Sequence, residues 1–227
     1  MFVRKPVSAA EVLALIIVIT YVAIVAVGLI VLSELASINA YDVLKALASP
    51  IDPLSPGVSV LQVVNDYLGL HLILRGVEVL HGKVWEIVSA IFVHANIIHL
   101  ITNVVALLIT DSILSASTEV RGKDEVVVFM VSGIVGNLAT VALLPIVSSL
   151  GASGAIFGLL AYAAINEFRR SRSLTLLMLL VFVFVISSIP IAGYPNIVAH
   201  LAGLMTGIIF GILGIPKSGS GRGATVI

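Results

Sequence analysis

Inside the long apolar stretches of this sequence, a handful of side chains could do nucleophilic or acid–base chemistry. The chain has no cysteine, so thiolate nucleophiles and disulfides are excluded. Inside the apolar stretches the candidates are Ser153 in Gly151-Ala152-Ser153-Gly154, His200 in Ala199-His200-Leu201-Ala202-Gly203, and His94, His99 and Asn103 within one segment. A serine hydroxyl is a weak nucleophile until a base accepts its proton. A neutral imidazole does this near pH 7. Attack on a carbonyl then creates an oxyanion, which needs fixed hydrogen-bond donors. The Asn103 amide, the His99 ring N–H and the Ser153 backbone N–H are suitable, because a backbone N–H at a helix start has no intrahelical partner. No carboxylate lies in the uncharged stretch around His200. The expected arrangement is a Ser–His dyad rather than a triad.

The elements that position these residues follow from composition. Hydrophobic residues make up 59% of the 227 residues and charged ones 11%. Soluble domains carry about 25% charged residues. With a mean hydropathy of +1.20, the chain needs lipid as its solvent. Its net charge is zero, which argues against a nucleic-acid partner.

A membrane span needs roughly 20 apolar residues. Val12–Leu32 is uncharged between Glu11 and Glu34 and makes the first span, too long for the apolar core of a cleaved signal peptide. Ile87–Thr110 supplies the second, from about His94. Val126–Asn166 is about twice a span long, with its turn at Ser148-Ser149-Leu150-Gly151 just past Pro145, giving spans three and four. Ser173–Pro216 is broken by Pro190-Ile191-Ala192-Gly193-Tyr194-Pro195-Asn196 into spans five and six. The expectation is an all-α membrane protein, a bundle of six transmembrane helices. Lys and Arg prefer the cytoplasmic side. With both termini there, the inner segments hold Arg4, Lys5, Arg121, Lys123, Arg169, Arg170, Arg172, Lys217 and Arg222, and the outer ones only Lys45, Arg75 and Lys83.

The organisation expected is therefore an N-terminus and first span over 1–36, a long outer loop over 37–92, five further spans carrying the site over 93–216, and a flexible cytoplasmic tail over 217–227. The outer loop is longer than a connection requires. Its Val58–Leu80 stretch reads as one or two amphipathic elements at the interface, or as a small extramembrane cap. His71 and His81 fall in it and are expected to be solvated, and Trp85 and Tyr194 suit interfacial positions.

Spans two, four and six run in the same direction. His99, Ser153 and His200 each fall within about 10 Å of their helix starts at 1.5 Å per residue, so a Ser, two His and an Asn arrive at one level near the outer face. Gly154 and Gly158 in span four, and Ala199, Gly203, Gly207 and Gly211 in span six, recur every four residues. Small residues at this spacing let helix backbones approach closely, which would bring His200 beside Ser153.

These residues resemble the rhomboid family of intramembrane proteases. His94-Ala95-Asn96-Ile97-Ile98-His99-Leu100-Ile101-Thr102-Asn103 is similar to the family's second-span His-x4-His-x3-Asn pattern, Gly151-Ala152-Ser153-Gly154 to its nucleophile motif, and Ala199-His200-Leu201-Ala202-Gly203 with Gly207 to its last-span motif. The likeness covers about Trp85 to Ile215. It implies a serine protease that cleaves single-pass transmembrane proteins near the outer membrane surface, with lipid around it and no cofactor or metal. Ser153 would attack, His200 act as base, His99 and Asn103 bind the oxyanion with Gly151 in the nucleophile motif, and His94 support the site. The first loop would rest partly in the outer leaflet and span five act as a lateral gate. A prokaryotic plasma membrane is the expected location.

Three positions depart from the family pattern. Trp85-Glu86 stands where Trp-Arg is common. Phe157 replaces a tyrosine that stacks on the base. Glu119 and Arg121 only loosely match an inner Glu–Arg feature. Two other function classes fit the composition. One is a catalytically inactive rhomboid-like protein that binds transmembrane helices, which would be expected to lack the Ser or the His. The other is a metal transporter lined by His94, His99 and His200, for which the nearby sequence offers no cysteine or carboxylate to complete a ligand set.

Overall fold

The computed structural model describes residues 7–35, 69–117, 122–189 and 195–215. The first half of the outer loop, the Glu119–Arg121 feature, Tyr194 and the tail expected over 217–227 lie outside them. The described chain is helical apart from one two-residue strand pair.

Helix α1 (Ala9–Leu35) starts with a reciprocal cap: Glu11 N–H donates to Ser8 Oγ (3.1 Å) and Ser8 N–H to Glu11 Oε2 (2.8 Å). Its Ala10, Leu13, Ala14, Ile17, Tyr21 and Ile24 are buried at seam-like spacing, while Leu15, Ile16, Ile19, Val22 and Ile30 face outward. In lipid such an outward face costs nothing. The buried stripe packs on α4 (Ile97–Ser117) and α5 (Gly122–Leu143), and Ser8 Oγ donates to Asp111 Oδ2 on α4 at 3.0 Å.

Among the described residues, three helices are long and apolar enough to cross a membrane: Ala9–Val31 within α1, Ile97–Ala116 within α4, and Gly122–Leu143. The expectation was six. Helices α7 (Thr175–Ser187) and α8 (Ile197–Leu213) are apolar but short, about 20 and 26 Å at 1.5 Å per residue. Helix α6 (Ser153–Ser171) is less apolar because it is the axis of the bundle. Residues Gly154 to Ala164 are all buried, against α8, α5, α4 and α7. A helix enclosed by protein can be built of glycine and alanine, and its far end carries Asn166, Glu167, Arg169 and Arg170. There Arg169 Nη1 donates to the carbonyls of Gly211 (2.7 Å) and Ile212 (3.0 Å), satisfying the end of α8.

The close approach expected between the glycine faces is present. A Cβ on Gly203 or Gly207 would collide with the carbonyl oxygen of Gly154 or Gly158, and one on Gly136 of α5 would stand 2.8 Å from the Ala199 carbonyl oxygen.

The end of the bundle where α6 and α8 begin is covered by the second half of the long loop. Strand β1 (Leu74–Arg75) pairs antiparallel with β2 (Ser148–Ser149), Leu74 opposite Ser149. Helices α2 (Gly76–Leu80) and α3 (Glu86–Phe92) follow β1. Val77 N–H donates to the Pro145 carbonyl (3.1 Å), Asn137 Nδ2 to that of Ile87 (2.8 Å) and Gly151 N–H to that of Ala90 (2.8 Å). The loop is thereby docked on the segment leading into Ser153. Within Ile87–Thr110, expected to yield the second span from about His94, α3 ends at Phe92, the chain extends through Val93, and α4 begins at Ile97.

Candidate active site

Each reactive side chain is placed by a helix start. Ser153 is the first residue of α6, reached through Gly151 at φ +109. That conformation favours glycine, and a Cβ there would stand 2.7 Å from His99 Cε1 and 2.8 Å from His99 Nε2. Gly151 thus lets the His99 ring lie against the turn before the nucleophile. The Ile156 N–H to Ala152 carbonyl bond (3.0 Å) opens the helix, so the N–H groups of Ser153, Gly154 and Ala155 precede its first intrahelical bond.

His200 lies in the first turn of α8, buried, with Nε2 2.7 Å from Ser153 Oγ. Its Nδ1 is buried and has no hydrogen-bond partner among the described residues. The Phe157 ring lies 4.9 Å from the imidazole, tilted 44°, and is itself packed edge-on against Phe184 of α7 at 5.5 Å. A π-face at that distance favours a cationic imidazole.

Helix α4 brings the other candidates. Asn96, buried, caps it by accepting the His99 N–H at 2.8 Å. Asn103 is buried one turn beyond His99 and donates one amide hydrogen to the His99 carbonyl at 2.8 Å, leaving a second on the same nitrogen. His94, expected inside the second span, sits before α4 in the connecting segment, because Asn96 ends the extended link and starts the helix. It is buried edge-on to His99, centroids 5.0 Å apart. Among the described residues, no three His, Cys, Asp or Glu side chains gather as a metal site would need.

The loop histidines differ. His81 is exposed. His71, expected to be solvated, is half-buried, with Lys83 Nζ at 3.1 and 2.9 Å from its two ring nitrogens and Glu86 Oε1 at 3.7 Å from Nδ1. Glu86 itself is fully buried, and its Oε2 accepts the Arg75 N–H at 2.7 Å. The acid at this departure from the family pattern therefore fixes β1. Burial raises its carboxyl above the ordinary value, against the opposing pull of that N–H and of the nearby His71 and Arg75. Glu78 is held below its ordinary value by its hydrogen bond and ion pair with Lys83.

Asn196, Thr140 and Ser149 were not singled out from the sequence. Asn196 caps α8, its Oδ1 accepting the Ala199 N–H at 3.0 Å, and its Nδ2 donates to Thr140 Oγ1 and Ser149 Oγ, both at 2.8 Å. An asparagine directly before an apolar helical run is a legible cap signal. Its two cross-links are not legible in sequence.

Comparison with known proteins bears on the family of the chain. A Rhomboid domain model matches residues 81–217, more than half of the chain. YdcA of Bacillus subtilis (strain 168) is 32% identical over 147 residues, 61% of this chain and 71% of its own length. Rhomboid protease GluP of the same organism is 30% identical over 151 residues, 61% of this chain and 28% of GluP. Inactive rhomboid protein 2 of Homo sapiens is 27% identical over 136 residues, 56% of this chain and 15% of that protein. The chain thus spans less than a third of the length of the last two.

Proposed function

The chain belongs to the rhomboid family, and we propose that it is an intramembrane serine endopeptidase cleaving single-pass transmembrane proteins near the outer face of the bilayer through a Ser153–His200 dyad. Its long apolar helices and its family make it an integral membrane protein. The observation that carries the catalytic reading is the 2.7 Å contact of Ser153 Oγ with His200 Nε2, made by two helix starts that glycine packing holds together.

In the reaction, Nε2 accepts the hydroxyl proton as Oγ attacks the scissile carbonyl. The oxyanion is received by the N–H groups at the start of α6, the second hydrogen of Asn103 Nδ2 and the His99 ring. His200, now cationic, faces Phe157 rather than a carboxylate. It returns the proton to the leaving amine, and water then releases the acyl group by the reverse path. Six crossings with both termini cytoplasmic accompany this reading, with α6 shielded by its neighbours and α7 and α8 short but apolar. Helix α7 suits a lateral gate: Leu180 is its one fully buried residue, and it packs mainly on α6.

Inactive relatives make the helix-binding alternative concrete, but the hydrogen-bonded Ser–His pair favours catalysis. The discriminating experiment is cleavage of a model single-pass substrate by purified protein in proteoliposomes. Activity lost in Ser153→Ala and in His200→Ala is expected; equal cleavage by either variant overturns the mechanism.

A further inference from the structure

We propose that Asn196 is a positioning residue that sets the base against the nucleophile, by tying the start of α8 to α5 and to the strand leading into Ser153. This rests on the reading of Ser153 and His200 as the dyad. Among the described residues, His200 Nδ1 has no hydrogen-bond partner, and no carboxylate or carbonyl there orients the ring. Its orientation must come from the backbone of α8 and the packing of Phe157.

The start of α8 is fixed at one amide. Asn196 Oδ1 accepts the Ala199 N–H (3.0 Å), and the Asn196 carbonyl accepts that of His200 (3.0 Å). One Nδ2 hydrogen goes to Thr140 Oγ1 on α5. That hydroxyl is fully buried and spends its own hydrogen on the Gly136 carbonyl (3.0 Å), so it meets Asn196 as an acceptor. The other Nδ2 hydrogen goes to Ser149 Oγ in β2, four residues before the nucleophile. The amide's bonding capacity is nearly filled. Its two donor bonds tie the segment carrying His200 to α5 and to the segment leading into Ser153, away from the reacting atoms. Cap and bridge are separable functions. A serine at 196 would still cap the helix but is too short to reach Thr140 and Ser149.

The test measures kcat, KM and thermal unfolding of the full chain on a model single-pass substrate, for Asn196→Ala, Asn196→Ser, Ser149→Ala and the Asn196→Ser/Ser149→Ala pair. Asn196→Ser should regain most of the stability that Asn196→Ala loses, yet keep a kcat about 10- to 100-fold below wild type with KM little changed, as expected for a misplaced reacting group. Ser149→Ala, which leaves the cap intact, should lower kcat alone, and the pair should be no worse than Asn196→Ser. A kcat for Asn196→Ser within about twofold of wild type, or losses that multiply in the pair, overturns the proposal. If Asn196→Ser does not fold, Ser149→Ala decides on the same criterion. Ser153→Ala separates the two claims: if it cleaves like wild type the dyad reading fails, whereas if it is inactive while Asn196→Ser is fully active only the positioning role fails.

Discussion

Gly203 of α8 lies so close to Gly154 of α6 that a methyl group on Gly203 would collide with the Gly154 carbonyl oxygen. Ser153 directly precedes Gly154 and His200 is three residues before Gly203, so this backbone contact sets the separation of nucleophile and base. Gly203→Ala should force the helices apart. A drop of about 1–3 kcal/mol in stability is expected from overpacking, with a loss of at least about 100-fold in kcat from a displaced base. Kinetics well below the unfolding temperature measure the second effect separately from the first. Full activity in Gly203→Ala would show that the contact does not set the geometry.

Phe157 carries the other support of the base. Phe157→Leu keeps a buried apolar group but removes the aromatic face 4.9 Å from His200. A cation–π contact of this kind contributes about 0.5–2 kcal/mol, so kcat should fall roughly 2- to 30-fold while KM changes little. Steady-state kinetics with a model substrate check it. An unchanged kcat would mean the ring only fills space.

Glu86 gives a pH-dependent prediction. Its carboxyl is raised above the ordinary 4.5, first by burial. The folded protein therefore binds this proton at a higher pH than the unfolded chain does. Above the folded value the buried charge is a cost, and the cost is relieved as pH falls through that value toward 4.5. Glu86→Gln, uncharged and similar in shape, should be at least as stable as wild type near pH 7, and its advantage should shrink as pH falls. Glu86→Ala, which strips the acceptor from the Arg75 N–H, should lose about 1–3 kcal/mol. Thermal unfolding across the pH range reads both, and a pH-independent Gln difference contradicts the assignment.

Arg169 separates stability from catalysis. It donates to the last carbonyls of α8, about 24 Å along α6 from Ser153 by helix rise. Arg169→Ala should cost about 1–2 kcal/mol of stability and leave kcat within about twofold below the unfolding temperature. A large loss of kcat at full stability would place Arg169 in the reaction pathway instead.

The reactive residues were legible because the bilayer makes intramembrane polar groups costly and because four-residue glycine spacing announces a close helix contact. Gly154, Gly203 and Gly207 meet as that spacing implies. The start of the second span was legible to within three residues, expected near His94 and found at Ile97 behind the Asn96 cap; the short helix Glu86–Phe92 before it was not, since 87–110 is uniformly uncharged. Nor were β1 and β2, two residues each and too short to show alternation. The role of Glu86 was hidden for a related reason. Its partner is the main-chain N–H of Arg75, which any residue type except proline would offer. Helix α6 is less apolar than a lipid-facing span because its far end carries Asn166, Glu167, Arg169 and Arg170, while its middle is covered by protein.

The most direct measurement of the central claim is covalent trapping at Ser153. Incubating the purified chain with a fluorophosphonate probe, with peptide mass spectrometry of the product, should place one adduct on the peptide containing Ser153. Labelling should fall to background in Ser153→Ala and by orders of magnitude in His200→Ala. An adduct elsewhere, or equal labelling of the His200→Ala protein, would contradict a serine activated by His200.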